Sequence, residues 1–310
     1  MTWMSDIRSE IEERTIRIER IIESVLPVPE GFGRTVIDAM NYSVSVGGKR
    51  LRPMLMQECY CLFSGRGGRA ADEEVLHLFM SAIECIHTYS LVHDDLPAMD
   101  NDEYRRGKHT TWKKYGEGMG VLAGDALLNY AFETALTAFD LPEADGQAYR
   151  LVRALRILAE KAGIYGMIGG QTVDVESENL ADDISFDKLM FIHAHKTAAL
   201  LEASMMAGAY LAGADEQDVD KIRECARNIG IAFQIRDDIL DVTGDAEELG
   251  KSVGSDANNH KQTYVTIKGL KQAAEDVEEM SDKAVALLES MSGEGTFLVW
   301  LVRKLVDRRK

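Results

Sequence analysis

Two clusters of carboxylates are the most chemically pointed features of this 310-residue sequence. The first, His93-Asp94-Asp95-Leu96-Pro97-Ala98-Met99-Asp100, closes an apolar run with three aspartates. Pro97 disfavours helix at Leu96 and interrupts the turn. The chain is therefore expected to fold back and bring Asp100 toward Asp94, which a straight helix could not do at that spacing. Clustered carboxylates with few cations beside them are hard-oxygen ligands of the kind Mg²⁺ takes. Taken alone, this cluster is accounted for equally well by a solvated acidic helix end. The second cluster, Phe233-Gln234-Ile235-Arg236-Asp237-Asp238-Ile239-Leu240-Asp241, shifts the balance. Asp237 and Asp241 are four apart and share a helix face, with Gln234 one turn earlier and Asp238 beside them. Aligned like charges embedded among Phe233, Ile235, Ile239 and Leu240 repel one another unless a cation lies between them. Two such motifs on two apolar helices favour a polynuclear Mg²⁺ site.

Basic groups occur in tight, separated packets: Gly47-Gly48-Lys49-Arg50-Leu51-Arg52-Pro53 and Arg105-Arg106-Gly107-Lys108. Phosphate oxygens want charge-assisted donors in fork geometry, and glycine lets the backbone come close. The glycine-lysine run lacks the GxxxxGK[ST] spacing of a Walker A loop. Carboxylates for Mg²⁺ together with lysines and arginines for phosphate describe a site for a metal-complexed diphosphate.

The elements that must position these groups read as helices. Val75, Phe79, Ala82, Ile83 and Ile86 recur at three- and four-residue steps, as do Leu189, Ile192, Leu200, Leu201 and Met205, and Ile222, Ala226, Ile229, Phe233 and Leu240. All five prolines lie at or before Pro142, and no sustained period-two alternation bounded by hairpin turns is visible. Breaks fall at Pro27-Val28-Pro29, Gly47-Gly48, Gly65 to Gly68, Pro97 to Gly107, Gly116 to Gly120 and Gly244 to Asn259. With no long linker and no repeat, the expectation is one all-α domain over residues 1–310, a bundle of about ten or more helices around a deep central cavity.

Composition bounds the rest. Lys and Arg number 35 against 52 Asp and Glu, a formal net charge of −17, which disfavours nucleic acid and anionic membrane surfaces as partners. Cys59, Cys61, Cys85 and Cys225 lack paired CxxC spacing, which argues against a disulfide framework and a zinc site and fits a reducing cytoplasm. No signal-type apolar run opens the chain. Glu202 interrupts the longest apolar segment, so no membrane insertion is expected. His193 and His195 are two apart and do not form a helical metal pair, His87 alone reads as a core histidine, and Met205-Met206 reads as packing.

From about Tyr42 to the C-terminus the sequence resembles the trans-isoprenyl diphosphate synthases, and among them the bacterial-type farnesyl diphosphate synthases. The resemblance is carried by GGKRLRP at 47–53, HTYSLVHDDLPAMDNDEYRRGK at 87–108, GDALL at 124–128, GGQTVD at 169–174, HKT at 195–197 and FQIRDDILDVTGDAEELGKSVGSD at 233–256. It implies an all-α prenyl synthase fold, a homodimer, small-molecule diphosphate substrates and two aspartate motifs facing each other across the cavity. Asp94, Asp95 and Asp100, with Asp237, Asp238 and Asp241, match the family's Mg²⁺ ligands, three ions per active site. Arg105, Lys196 and Lys251 match its allylic-diphosphate donors, with Thr197 and Gln234 near the breaking C–O bond. Lys49, Arg52, His87 and Arg106 match the isopentenyl diphosphate site, and Gln171 and Asp174 stand behind the cavity wall. Lys261 matches a group that closes the mouth, and the tail Arg308-Arg309-Lys310 resembles a C-terminus that folds over the isopentenyl diphosphate site, a frayed tail being the equal alternative.

The chemistry implied is ionisation of an allylic diphosphate, attack by the isopentenyl π-bond, and proton loss to the released diphosphate, in a dry cavity. The resemblance assigns product length to Tyr89 and Ser90, the fifth and fourth residues before Asp94. At ~1.5 Å per residue, Tyr89 lies about 7–8 Å down the helix, where its ring can stop a growing tail. A C15 product, farnesyl diphosphate made from dimethylallyl and geranyl diphosphate, is therefore expected. The nearest alternative is C20, geranylgeranyl diphosphate. A terpene cyclase is disfavoured by the second basic set and second aspartate motif, and a noncatalytic subunit by the presence of all six aspartates.

Overall fold

Helical periodicity becomes buried helix faces throughout the structure, a computed structural model that describes residues 2–65, 73–142, 145–178, 184–243, 262–292 and 296–306. Two compact units form. One comprises residues 1–155 with 210–213, the other residues 156–209 with 214–310.

In the first unit, α1 (Thr2–Val25), α2 (Arg34–Ser45), α3 (Leu51–Ser64) and α6 (Glu117–Thr137) pack around α4 (Glu73–Asp94). Val75, Phe79, Ala82, Ile83 and Ile86 form the buried side of α4, each fully covered. Among the described residues α4 is the one helix long and apolar enough to cross a membrane by length and composition, and most of its apolar window is covered by neighbouring helices instead. Pro53 lies in the first turn of α3, where a missing N–H costs nothing. A 3₁₀ turn (Ala138–Asp140) closes α6, and α7 (Ala148–Ala162) follows.

Two local features differ from the sequence expectation. A short antiparallel hairpin, β1 (Tyr104–Arg105) with β2 (Lys108–His109), lies within the stretch read as a plain break, pairing Tyr104 with His109 and Arg105 with Lys108. Its two central residues, Arg106 and Gly107, both have positive φ, as a tight two-residue hairpin requires. Two residues per strand and an Arg-Gly turn leave no alternation to detect. Likewise, the break read over Gly116 to Gly120 is confined to Gly116, at φ 91°, between α5 (Thr111–Tyr115) and α6. Gly120 lies inside α6, where a Cβ would meet Leu96 and Trp112 at 3.0 Å.

The second unit is built on α11 (Glu216–Thr243), against which α13 (Leu270–Ser292) and α14 (Phe297–Val306) pack. Ile231, Ala232, Ile235 and Ile239 of α11 share a core with Leu189 of α9 (Phe186–Ile192) and Tyr264 of α12 (Tyr264–Lys268). Thr263 caps α12 through a reciprocal capping box with Thr266. α8 (Met167–Glu178) packs on the turn that follows α9. α10 (Ala198–Ala212) is buried on all sides, Met205 and Met206 included, and its one charge in the interior, Glu202, pairs with Lys161.

Candidate active site

The end of α4 shows why proline follows the aspartate pair. Asp95 and Leu96 still donate back to Leu91 and His93, but the helix stops at Asp94 and the chain reverses: the Met99 and Asn101 amides donate to Leu96 O, and Asp100 N donates to Asp94 O at 2.8 Å. Asn101 takes the left-handed conformation, φ 56°, to complete the reversal. Asp100 is thus brought back beside Asp94, as Pro97 predicts. Asp95 faces the protein. It is 3% exposed, and both its oxygens accept from Arg105, at 2.8 and 3.0 Å from Nε and 2.6 Å from Nη2. Burial opposes the charge on Arg105, and the bond to Asp95 together with the charges of Asp95, Asp102 and Asp94 outweighs it, so the guanidinium is held above its ordinary value.

Beneath this turn a pocket is lined by Glu84, His87, Thr88, Asp95, Arg105 and Arg106, with Leu91 and Val92 as an apolar wall. Three of the sequence-identified groups therefore converge here with Asp95. Arg106 is carried by the hairpin turn and lies against Gly48, where a Cβ would fall 2.5 Å from Nη1. That contact, with Gly48 at φ 152°, explains the second glycine of the pair. Lys49 is exposed beside it, and Arg52 is half-buried in the first turn of α3. Burial lowers Arg52 to about 10, with Glu84 opposing and Arg106 adding to the shift. The His87 imidazole is held well below 6.5 by burial and then by Arg52 and Arg106, so it is neutral at pH 7.

Tyr89, one turn above Asp94 on the chain, is 5% exposed, with its ring edge-on to His93 at 5.9 Å. Its hydroxyl has no hydrogen-bond partner, and burial followed by the charge of Asp94 raises it to about 12. Ser90 is turned back on its own helix, donating to His87 O at 2.8 Å. His93 in turn hydrogen-bonds Val121 O at 3.0 Å and rests on Gly124, where a Cβ would come within 2.1 Å of its ring. This is the packing reason for the glycine of GDALL.

In the second unit, a π turn over His193–Thr197 joins α9 to α10. Such wide turns cost regular hydrogen bonding and tend to be kept where they aim side chains. Two glycines make room for it. A Cβ on Gly170 would lie 2.2 Å from Lys196 N, and one on Gly230 would lie 2.3 Å from Ala198 Cβ. Lys196 Nζ reaches buried Asp174 at 2.5 Å, and Thr197 Oγ1 donates to Gln234 Oε1 at 3.0 Å. On α11, Asp237 and Asp241 are half-buried, whereas Asp238 is 5% exposed and accepts the Tyr264 amide at 2.7 Å, with His193 Nε2 3.8 Å away. His195 stacks on Phe191 and hydrogen-bonds Phe191 O.

Asp95 is thus engaged by Arg105 and Asp238 by the Tyr264 amide. Among the described residues no three acidic, His or Cys side chains already converge on one point. Lys251, Lys261 and Arg308 to Lys310 lie outside the described residues. Sequence reasoning passed over Glu84. The signal was present, a lone carboxylate in the apolar run Phe79 to Ile86, one turn before His87.

The polyprenyl synthetase family profile matches residues 34–292. The chain belongs to the polyprenyl synthetase family. The chain is 42% identical over 292 residues to the geranylgeranyl diphosphate synthase of Cyanophora paradoxa, covering 94% of each chain. It is 43% identical over 282 residues to the large subunit 1 of a chloroplastic heterodimeric geranylgeranyl pyrophosphate synthase of Arabidopsis thaliana, covering 90% of this chain and 73% of the other. Among solved structures, the FPP/GFPP synthase of Zymomonas mobilis superposes with a TM-score of 0.83 at 32% identity, covering 97% and 99% of the two chains. The Helicobacter pylori geranyltransferase complexed with magnesium and isoprenyl diphosphate gives a TM-score of 0.80 at 33% identity, covering 96% of both. The polyprenyl synthetase has the all-α isoprenoid synthase fold and is a trans-prenyltransferase.

Proposed function

We propose that this trans-prenyltransferase extends allylic diphosphates with isopentenyl diphosphate as far as the C20 product, geranylgeranyl diphosphate. The observation that carries this length is similarity over 94% of both chains to a geranylgeranyl diphosphate synthase. One specific observation favours stopping at C15: the buried ring of Tyr89 five residues before Asp94. Farnesyl diphosphate offered as primer separates the two, with products read by mass spectrometry. Conversion to C20 supports the proposal, and farnesyl diphosphate left unextended overturns it in favour of C15.

In this reading Lys49, Arg52, His87 and Arg106 bind isopentenyl diphosphate. Neutral His87 offers one N–H donor while the arginines supply the charge. Arg105, Lys196 and Lys251 donate to the allylic diphosphate. Asp95 and Asp174 aim the first two of these cations. Thr197 and Gln234, already hydrogen-bonded to each other, place their dipoles at the bond that breaks. The apolar wall keeps water from the cation, and the released diphosphate takes the proton.

Mg²⁺ fits the donor set: hard carboxylate oxygens at two helix positions, with Asp100 folded back on Asp94. Asp94, Asp95, Asp100, Asp237, Asp238 and Asp241 would hold it, as three ions, and bound Mg²⁺ would offset the charge of the leaving diphosphate. The family profile runs across both units, which supports a single catalytic domain. A homodimer is supported by Val121 and Leu122 of α6 and Tyr149 and Val152 of α7, all exposed. A cytoplasmic setting is supported by four cysteines that form no disulfide.

A further inference from the structure

The pocket under the first aspartate motif contains a charge that should not favour an anion. Glu84 lines it and is 3% exposed. Its Oε1 accepts from Arg50 Nη1 at 2.7 Å. Arg50 is itself 5% exposed, lies behind the pocket wall, donates from Nη2 to Val44 O at 2.7 Å, and keeps Nε 3.6 Å from Glu19. Its backbone is left-handed, φ 46°, at the N-cap of α3. A non-glycine residue in that conformation is strained, and a buried ion pair is often no more stable than a well-packed apolar pair. Stability alone therefore gives little reason for the arrangement.

What the pair touches gives a better one. Arg50 is flanked by Lys49 and, two residues on, by Arg52, so the strained turn decides where both cations stand. Glu84 is one turn before His87 on α4, and its charge opposes the burial that lowers both Arg52 and Arg106. Arg106 rests on Gly48 of the same turn. One carboxylate thus faces three arginines brought from α3 and the hairpin, which would otherwise repel one another.

We infer that Glu84 and Arg50 are positioning residues for the isopentenyl diphosphate site. Glu84 is the resident counter-charge that holds Arg50, Arg52 and Arg106 in register before the diphosphate arrives, and Arg50 is the strut that ties the Gly47 to Arg52 turn to α4. The inference rests on the reading of this pocket as the isopentenyl diphosphate site.

The test compares the parent with Glu84→Gln and with the double variant Arg50→Met/Glu84→Gln, in which no buried charge of the pair is left unmatched. Binding of inorganic diphosphate in metal-free buffer is measured by calorimetry, alongside melting temperature and separate KM values for isopentenyl and allylic diphosphates. Both variants are expected to bind inorganic diphosphate at least about tenfold more weakly, the scale of a misplaced binding group. KM for isopentenyl diphosphate should rise by the same factor while the allylic KM is unchanged. The double variant is expected to recover the parent's melting temperature and keep the binding defect. Tighter or unchanged diphosphate binding in either variant overturns the inference, as does a binding defect that disappears when the melting temperature is restored. A parent that binds no diphosphate also overturns it. A parent that binds diphosphate but extends no primer refutes the proposed function instead, and the binding comparison still decides the roles of Glu84 and Arg50.

Discussion

Tyr89 joins two consequences of one side chain, and cutting it back in two steps separates them. Its hydroxyl is buried without a hydrogen-bond partner, which costs about 1–3 kcal/mol of desolvation that nothing returns. Tyr89→Phe removes that oxygen and leaves the ring, so it should raise stability by about 1 kcal/mol, or roughly 1–2 °C in melting temperature, with product length unchanged. Tyr89→Ala removes the ring as well. Truncating a buried aromatic costs about 3–5 kcal/mol, less whatever the freed hydroxyl penalty returns, so the variant should melt lower yet remain folded. The space vacated lies ~7.5 Å from Asp94 along α4. One more isoprene unit, four bonds end to end, needs about 5 Å, which the lost side chain supplies. Where the ring is the stop, as in the C15 alternative, the product should lengthen by at least one five-carbon unit, read by liquid chromatography and mass spectrometry. The parent's product profile in Tyr89→Ala would refute the ring as the stop. A Tyr89→Phe variant less stable than the parent would refute the unpaired hydroxyl.

Other consequences follow from the geometry. Gly170→Ala puts a Cβ on the Lys196 backbone nitrogen, which cannot swing away as a side chain can; the π turn should be displaced and kcat should drop by about 100-fold, and parental kinetics would contradict the packing account. Asp174→Asn leaves Lys196 without its ionised partner, so kcat should fall about tenfold, or about 1.4 kcal/mol in the barrier, with the KM for isopentenyl diphosphate unchanged. A rise in that KM instead would mean that Lys196 serves the other substrate. His87 is neutral in the fold down to well below 6.5, so below that value the unfolded chain binds a proton that the fold does not. Its contribution to stability is complete above about pH 6.5 and declines as pH falls through that window, by at most about 1.4 kcal/mol per unit. Denaturant titrations on either side of pH 6.5 should show a shallower decline in His87→Gln, and an unaltered slope would show that His87 is not the group responsible.

How much could be read from the sequence depended on whether a feature was local. The helix faces of α4 and α11 and the reversal at Pro97 follow from spacing and proline stereochemistry, whereas the grouping of His87 with Arg106 came from the family resemblance. What escaped was pairing across the chain. Asp95 and Asp238 look identical to Asp94 and Asp237 in sequence, and only the fold shows that Arg105 and the Tyr264 amide occupy them. Arg50 reads as one more cation in a basic packet until Glu84, 34 residues later, buries against it. The hairpin at Tyr104 to His109 was too short for periodicity to report, Gly120 read as a break and Gly230 as nothing, and Gly124 and Gly170 stood out only as members of the GDALL and GGQTVD motifs. Their reason is a neighbouring helix or turn passing where a Cβ would be.

The central claim is that this chain joins isopentenyl diphosphate to an allylic diphosphate in a metal-dependent step. It is tested most directly by incubating the purified protein with isopentenyl and geranyl diphosphates, with Mg²⁺ or with EDTA, and reading prenyl diphosphates by mass spectrometry. The account predicts products longer than C10 with Mg²⁺ and none with EDTA. Geranyl diphosphate left unextended with Mg²⁺, converted to a cyclic hydrocarbon, or extended equally in EDTA would contradict it.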